Sequence, residues 1–285
     1  MPRILVFLPT YNEAGNVVSL ADEILHSSPE TDVLFVDDAS TDGTGEIVAD
    51  LSQRDPRINL IQRSGKFGLG SAHKLGMKYA VANNYDFLIT MDADYSHDPK
   101  DIPKFIDRLA ENDFVIGARY VPGGKCDLTI LRIFVSRGAN FLARWMLQIP
   151  LHETTTAFRG FSVDLLRRIN LDCIKSDGYS FFVESLFYIN ASTKKLAEFP
   201  IHFAVRRAGA SKIEKIEVLK GILNLLKLFI KKFIFKSEKN GLGTQKKFRR
   251  DSCVNCNSSF LSEINPLADV RIGVCLVCNH VFNDL

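Results

Sequence analysis

Residues 86–99 read Asp86-Phe87-Leu88-Ile89-Thr90-Met91-Asp92-Ala93-Asp94-Tyr95-Ser96-His97-Asp98-Pro99. A short run of apolar, β-favouring residues ends abruptly in carboxylates. The run does not alternate apolar with polar, so it predicts a strand covered on both faces, as in a parallel sheet. The same pattern recurs on either side. Arg3–Leu8 ends at Pro9 and Thr10–Glu13, and Asp32–Val36 ends at Asp37–Thr44. Ile58–Ile61 and Phe114–Ile116 are further strand candidates. Helical spacing fills the gaps at Asn16–Leu25, Gly45–Leu51, Ser71–Ala82 and Ile102–Leu109. This β-α alternation predicts an α/β fold, a mostly parallel sheet flanked by helices. Such sheets bind ligands beyond the carboxyl ends of their strands. The clusters Thr10–Glu13, Asp37–Thr41 and Asp92–His97 all fall at those ends.

The later half is less regular. Residues 128–147 have a helical pattern rich in Arg, Thr154–Phe161 reads as a strand, Tyr179–Ile189 as a helix and Ala197–Val205 as a strand. Ile213–Phe235 predicts a long amphipathic helix. The domain organisation expected is a catalytic body over 1–212, an amphipathic helix over 213–236, a basic linker over 237–252 and a small appendix over 253–285.

With 285 residues, 46% hydrophobic and 24% charged, the chain has ordinary globular composition. That excludes a largely disordered chain, a collagen and a small disulfide scaffold. The net charge of +3 conceals an asymmetry. Residues 205–250 hold 14 Lys+Arg and 3 Asp+Glu, while the remainder holds 22 basic and 30 acidic residues. An acidic body joined to a basic segment suits an anionic surface, membrane or nucleic acid. The N-terminal Met1–Glu13 has no signal-peptide pattern, and no apolar run reaches the ~18 residues of a spanning helix.

Asp92 and Asp94, at i and i+2 past a buried strand, can share one hard divalent cation, Mg²⁺ or Mn²⁺, that bridges to a diphosphate. Two solvated acids opening a turn is the plain alternative. Asp37 and Asp38 can accept hydrogen bonds from a base or ribose, or cap the following helix with Ser40 and Asp42. Gly68 and Gly70 precede a helix and let backbone amides approach a phosphate or nucleoside, or form a simple turn. Arg119, Arg132, Arg137, Arg159 and Arg206 fall near element ends and as a set suit phosphate binding. Lys220, Asn224, Lys227 and Lys231 form a narrow polar stripe on an otherwise apolar helix, the pattern of a helix lying in a membrane interface or of a core helix with snorkelling lysines. Cys253, Cys256, Cys275 and Cys278 form two CxxC pairs that can close a tetrahedral structural Zn²⁺ site.

In order along the chain, Pro9-Thr10-Tyr11-Asn12-Glu13, Val36-Asp37-Asp38-Ala39-Ser40-Thr41-Asp42-Gly43-Thr44, Gly68-Leu69-Gly70, Asp92-Ala93-Asp94, Gly117-Ala118-Arg119-Tyr120, Arg132 with Ser136-Arg137-Gly138 and Arg206 with Lys212 resemble glycosyltransferase family 2. Within it they resemble the polyprenyl-phosphate (dolichol-phosphate) mannose synthase group. The resemblance implies a glycosyltransferase A-type fold and inverting transfer from a nucleotide sugar, with GDP-mannose as donor, to a polyprenyl phosphate. It implies that Pro9, Tyr11, Glu13 and Asp38, with Gly68, Gly70 and Asp92, hold the nucleotide. It places the metal on Asp92 and Asp94, the acceptor phosphate on Arg119, Arg132, Ser136 and Lys212, and the catalytic roles on Asp94, Arg119 and Arg206. The chain departs from the group's usual Asp-x-Thr-Ser-Gly-Phe-Arg at Glu153-Thr154-Thr155-Thr156-Ala157-Phe158-Arg159, and Phe182 stands where many members have Gln. Cys275–Phe282 is similar to zinc knuckles that precede some class I methyltransferase domains, which fits either a truncated fusion or a ribbon that docks a partner protein.

A phosphate acceptor is already anionic and needs no general base, and the sequence presents no clear one. The rival readings are transfer of glucose from UDP-glucose, transfer to a saccharide hydroxyl, and a zinc-ribbon binding protein with an inactive transferase body. The expected location is the cytoplasmic face of a membrane, held peripherally by the 213–236 helix, with nucleic acid a less favoured partner.

Overall fold

A computed structural model describes residues 1–178, 180–205, 215–237, 247–252, 259–264, 271–274 and 281–284. The first half runs β1 (Ile4–Thr10), α1 (Val17–Ser27), β2 (Thr31–Asp37), α2 (Thr44–Arg54), β3 (Ile58–Gln62), α3 (Leu69–Ala82), β4 (Phe87–Thr90), α4 (Ile102–Leu109), β5 (Phe114–Ala118) and the short β6 (Lys125–Cys126). It continues through α5 (Ile130–Leu147), β7 (Arg159–Ser162), α6 (Val163–Arg168), α7 (Ser180–Ser192), β8 (Leu196–Pro200), β9 (His202–Phe203) and α8 (Lys215–Ser237). Four more strands follow: β10 (Lys247–Ser252), β11 (Ser259–Ile264), β12 (Arg271–Val274) and β13 (Val281–Asp284).

The main sheet has the order β3-β2-β1-β4-β7-β5-β8. Its strands are parallel except β7, which runs antiparallel to β4 and β5. In β1, Ile4, Leu5, Val6, Phe7 and Leu8 are all buried. Successive side chains of a strand point to opposite faces, so Leu5 and Phe7 enter the core under α3, α5, α6, α7 and α8. Ile4, Val6 and Leu8 enter the core under α1, α2 and α4. That is why the run shows no alternation: both faces are inside. At Gly76 of α3 the helix lies so close to β1 that an added Cβ would stand 2.5 Å from Phe7 Cδ2.

Three expectations from sequence are revised. The strand expected over Thr154–Phe161 begins only at Arg159. Residues 154–158 instead form a buried loop whose polar groups are met by side chains, described below. Residues 197–205 divide into β8 and β9, because β9 leaves the main sheet to pair with β6. Within the segment read as linker, Lys247–Ser252 is β10, the edge of a four-stranded antiparallel sheet of order β10-β11-β12-β13.

No helix among the described residues is long and apolar enough to cross a membrane. The stripe on α8 is turned differently from a simple interfacial helix. Asn224 donates to Ser180 O at 3.5 Å, Lys231 Nζ to the Tyr188 hydroxyl at 2.5 Å and Lys232 Nζ to Met146 O at 3.0 Å. Leu225 and Leu228 are buried against the body, while Ile222, Leu223, Leu226 and Ile230 face outward. The apolar arc is wide enough to serve both sides, so Asn224 and Lys231 of the stripe anchor the helix to α7, and Lys232 beside it reaches α5. The neighbouring α5 does the same. It buries Asn140, Ala143, Met146 and Leu147 and exposes Ile130, Leu131, Phe134, Val135, Phe141 and Trp145.

His73 of α3 sits in an aromatic nest with ring centroids 5.1 Å from Phe7, 5.4 Å from Phe181 and 5.1 Å from Phe182. Burial, helped by the nearby Arg159, lowers its pKa to about 3. The unfolded chain holds the His73 proton below its ordinary pKa of about 6.5, while the folded chain rejects it until about 3. Stability from this group is therefore fully present above pH 6.5 and is lost as pH falls through that window. His73→Leu is expected to flatten the pH dependence of folding free energy by about 1.4 kcal/mol per pH unit between pH 6 and 4. Denaturant titrations at stepped pH measure it, and parallel slopes for the two proteins would refute the assignment.

Candidate active site

The polar loops meet where β1, β2 and β4 end. Asp38 N donates to Thr10 O at 3.0 Å and Asn12 N to Ser40 Oγ at 2.8 Å. Thr41 N donates to Asn12 Oδ1 at 2.9 Å, and Glu13 N to Thr44 Oγ1 at 2.9 Å. Three non-glycine residues in these loops adopt left-handed backbone: Asn12 (φ 59°), Ala39 (φ 55°) and Tyr95 (φ 64°). Such strain persists only where surrounding bonds hold it, and it clusters at ligand sites.

The two aspartates closing β2 have different tasks. Asp37 accepts from Thr10 Oγ1 at 2.9 Å, Ser40 N at 2.9 Å and Ser40 Oγ at 2.5 Å, so it clamps the loop. Asp38 is buried against Arg63 and accepts from Gly68 N at 3.2 Å. Burial raises its pKa, and Arg63 offsets that only in part. Asp42 takes the Thr44 N–H at 3.1 Å and thus closes the start of α2. Gly68 has φ 93° and opens α3, with Gly70 so close to Ser176 O that an added Cβ would stand 2.8 Å away. Lys66 Nζ lies 3.9 Å from the Tyr11 ring centroid. Pro9, Tyr11, Glu13, Asp38 and Gly68 thus line one end of the sheet. Arg63 was not anticipated from sequence, although a basic residue directly after β3 was its available signal.

The turn after β4 brings Asp92 and Asp94 to the same end. Asp94 is buried and its Oδ1 accepts from Ser96 N at 2.9 Å. Asp92 is partly exposed, and its N–H donates to His97 Nδ1 at 3.1 Å. His97 is buried on Phe158, 4.9 Å between centroids, and burial lowers its pKa to about 4 despite nearby Asp94. A neutral imidazole therefore props the carboxylate turn from behind. Among the described residues no group of three His, Cys, Asp or Glu is arranged to hold a metal. Two carboxylate oxygen donors fit a hard cation that completes its shell with water and substrate phosphate, as Mg²⁺ commonly does.

Arg119, just past β5, is buried and paired side-on with Glu153, Nε and Nη2 each donating at 2.8 Å. Burial works against its charge, and the carboxylate reverses this, so its pKa is raised. Nη2 also reaches Ser136 Oγ at 3.2 Å and Thr155 Oγ1 at 2.7 Å. Arg132 is exposed one turn before Ser136 on α5, and Arg137 stands 5.3 Å from the Tyr120 ring. The fold thus brings Arg119, Arg132 and Ser136 to one region. Arg159 does not belong with them. It is fully buried and donates to Thr154 O, Thr156 O, Phe182 O and Ser185 Oγ at 2.7–3.1 Å, so it holds the 154–158 loop rather than a ligand. Burial without a contacting carboxylate lowers its pKa to about 9. Arg206, Lys212, Cys253, Cys256, Cys275 and Cys278 lie outside the described residues.

The family model described as glycosyl transferase family 2 matches residues 5–169. An undecaprenyl-phosphate mannosyltransferase of Micrococcus luteus is 37% identical over 224 residues, covering 78% of this chain and 92% of the relative. A polyprenol monophosphomannose synthase of Mycolicibacterium smegmatis is 35% identical over 214 residues, covering 74% of this chain and 81% of the relative. Among solved structures, glucosyl-3-phosphoglycerate synthase of Mycobacterium tuberculosis in complex with Mn²⁺, UDP and phosphoglyceric acid is 16% identical at a TM-score of 0.58, covering 93% of this chain and 88% of that one. At that identity the likeness is one of fold.

Proposed function

The chain belongs to glycosyltransferase family 2, and from that premise we propose that it transfers mannose from GDP-mannose to a polyprenyl phosphate with inversion. The observation that carries this reading is the position of Arg119 against Ser136 on α5, the same helix whose outer face is apolar. An arginine that reaches a hydroxyl on an outwardly apolar helix suits an acceptor that is itself amphiphilic, a phosphate head on a hydrocarbon tail. The two relatives named for polyprenyl-phosphate mannosyl transfer support it.

In this reading Pro9, Tyr11, Glu13, Asp38, Gly68 and Gly70 receive the nucleoside. Asp92 and Asp94 would hold Mg²⁺ or Mn²⁺, which when bound neutralises the departing diphosphate. Arg119, Ser136 and Arg132, with Lys212, orient the acceptor phosphate, and Arg206 adds positive charge near the diphosphate. No residue need remove a proton, because the acceptor arrives ionised. Inversion then requires only that the phosphate oxygen be held in line behind the anomeric carbon.

The outward faces of α5 and α8 would rest on the cytoplasmic face of a membrane, their lysines and arginines meeting anionic headgroups. The appendix would carry one structural Zn²⁺. The first and third strand connections, 253–258 and 275–280, follow paired strand ends Ser252–Ser259 and Val274–Val281, and each places Cys at its first and fourth residue.

Asp94→Ala is expected to lower turnover of labelled GDP-mannose into lipid-phase product by at least about a hundredfold, with the thermal midpoint little changed. Unchanged turnover would sink the metal assignment. The single tryptophan, Trp145, is 69% exposed and reports on the membrane face. Vesicles containing anionic lipid should shift its emission to the blue, and Leu226→Glu with Ile230→Glu should weaken binding; an unshifted spectrum would remove the membrane role of α5. Elemental analysis of the purified chain should find one zinc per chain, lost in Cys253→Ser, and a metal-free appendix would dismiss the ribbon.

A further inference from the structure

Glu153 is a buried carboxylate, fully enclosed. Burying a charge is costly unless it is paired and hydrogen-bonded. Glu153 is compensated on every side. Arg119 supplies its Nε and Nη2 edge, Asn140 Nδ2 donates at 3.2 Å, and Thr155 donates through N at 3.0 Å and Oγ1 at 2.9 Å. Burial raises the Glu153 pKa, but Arg119 and these donors more than reverse it, so the group stays ionised. Asn140 Oδ1 in turn accepts from Thr154 N at 2.7 Å and Thr154 Oγ1 at 2.6 Å, which ties the loop to α5.

The consequence falls on Arg119. An arginine grips a phosphate most tightly through two parallel N–H groups on one edge of its fork. Glu153 occupies the Nε/Nη2 edge. Among the described residues no acceptor takes Nη1, which is the part of the guanidinium left for a ligand, beside Ser136 Oγ.

We propose that Glu153 is a positioning residue for the acceptor phosphate: it fixes the Arg119 guanidinium, cancels its net charge and denies the phosphate the bidentate edge. This rests on the acceptor reading given above. The acceptor phosphate is the nucleophile, and strong ground-state binding of a nucleophile raises affinity without lowering the barrier. A half-occupied, charge-balanced arginine orients the phosphate while leaving its oxygen reactive.

The test is steady-state kinetics with polyprenyl phosphate and GDP-mannose on the full chain, for wild type, Glu153→Gln and Glu153→Asp, with thermal midpoints alongside. Glu153→Gln keeps one oxygen acceptor, frees the other N–H of that edge and leaves the Arg119 charge uncompensated. Its acceptor KM should fall about threefold or more and its kcat about tenfold or more, with donor KM unchanged. Glu153→Asp keeps the charge and should recover kcat to within about threefold of wild type. If Glu153→Gln does not fold, Thr155→Val removes the hydroxyl shared by Arg119 and Glu153 and should show the same split in milder form. A structural role alone would lower kcat in step with folded protein and leave acceptor KM unchanged or higher. That pattern, or unchanged constants, overturns the inference. A wild-type chain that makes no lipid-linked sugar overturns the acceptor reading and this inference with it, whereas an active wild type without the split overturns this inference alone.

Discussion

Everything in this molecule follows from β1 being buried on both faces. Five consecutive apolar side chains, Ile4–Leu8, can be removed from water only if helices cover the sheet above and below. Parallel neighbours then need long crossovers, so the strand ends are free to carry function rather than tight hairpins. The loops after β1, β2 and β4 inherit that freedom, and all three emerge at one edge. Buried apolar area and the polar site are thus two results of one constraint.

The site itself is organised by charge compensation. Asp38 is matched by Arg63, Glu153 by Arg119, and Asp37 by the hydroxyls of Thr10 and Ser40. Buried charges survive only when paired and hydrogen-bonded. Each pair therefore sets where a side chain points and how much charge it offers to a ligand. The second layer matters as much. Neutral His97 supports the Asp92 turn, and Arg159 holds the loop that carries Glu153 and Thr155. The arginines of the sequence consequently differ by their acceptors, Arg159 on backbone carbonyls and Arg119 on a carboxylate, not by their positions along the chain.

The helices α5 and α8 extend the same logic to the surface. Each has more apolar arc than the body can cover, so each buries one side and shows the other. On α8, the polar residues that read as a lipid-facing stripe include Asn224 and Lys231, which fasten the helix to α7. Each helix thus turns one apolar side to the protein and leaves another outward, the side that the proposed reading sets beside a lipid tail.

The sequence by itself determined the α/β class, the order of strands and helices through β5, and the clustering of Thr10–Glu13, Asp37–Thr41 and Asp92–His97 at strand ends. These depend on local periodicity and on apolar runs, which are written within a dozen residues. The tertiary structure alone decided that β7 is antiparallel, that 154–158 is a loop and not a strand, and that Arg63 joins Asp38. It alone turned Arg159 inward and set Glu153 on Arg119. Those outcomes depend on partners separated by 25 to 34 residues in the pairs Arg63–Asp38 and Arg119–Glu153, so no window of the sequence contains both halves of the interaction. Distance along the chain, not weakness of the interaction, is what hid them.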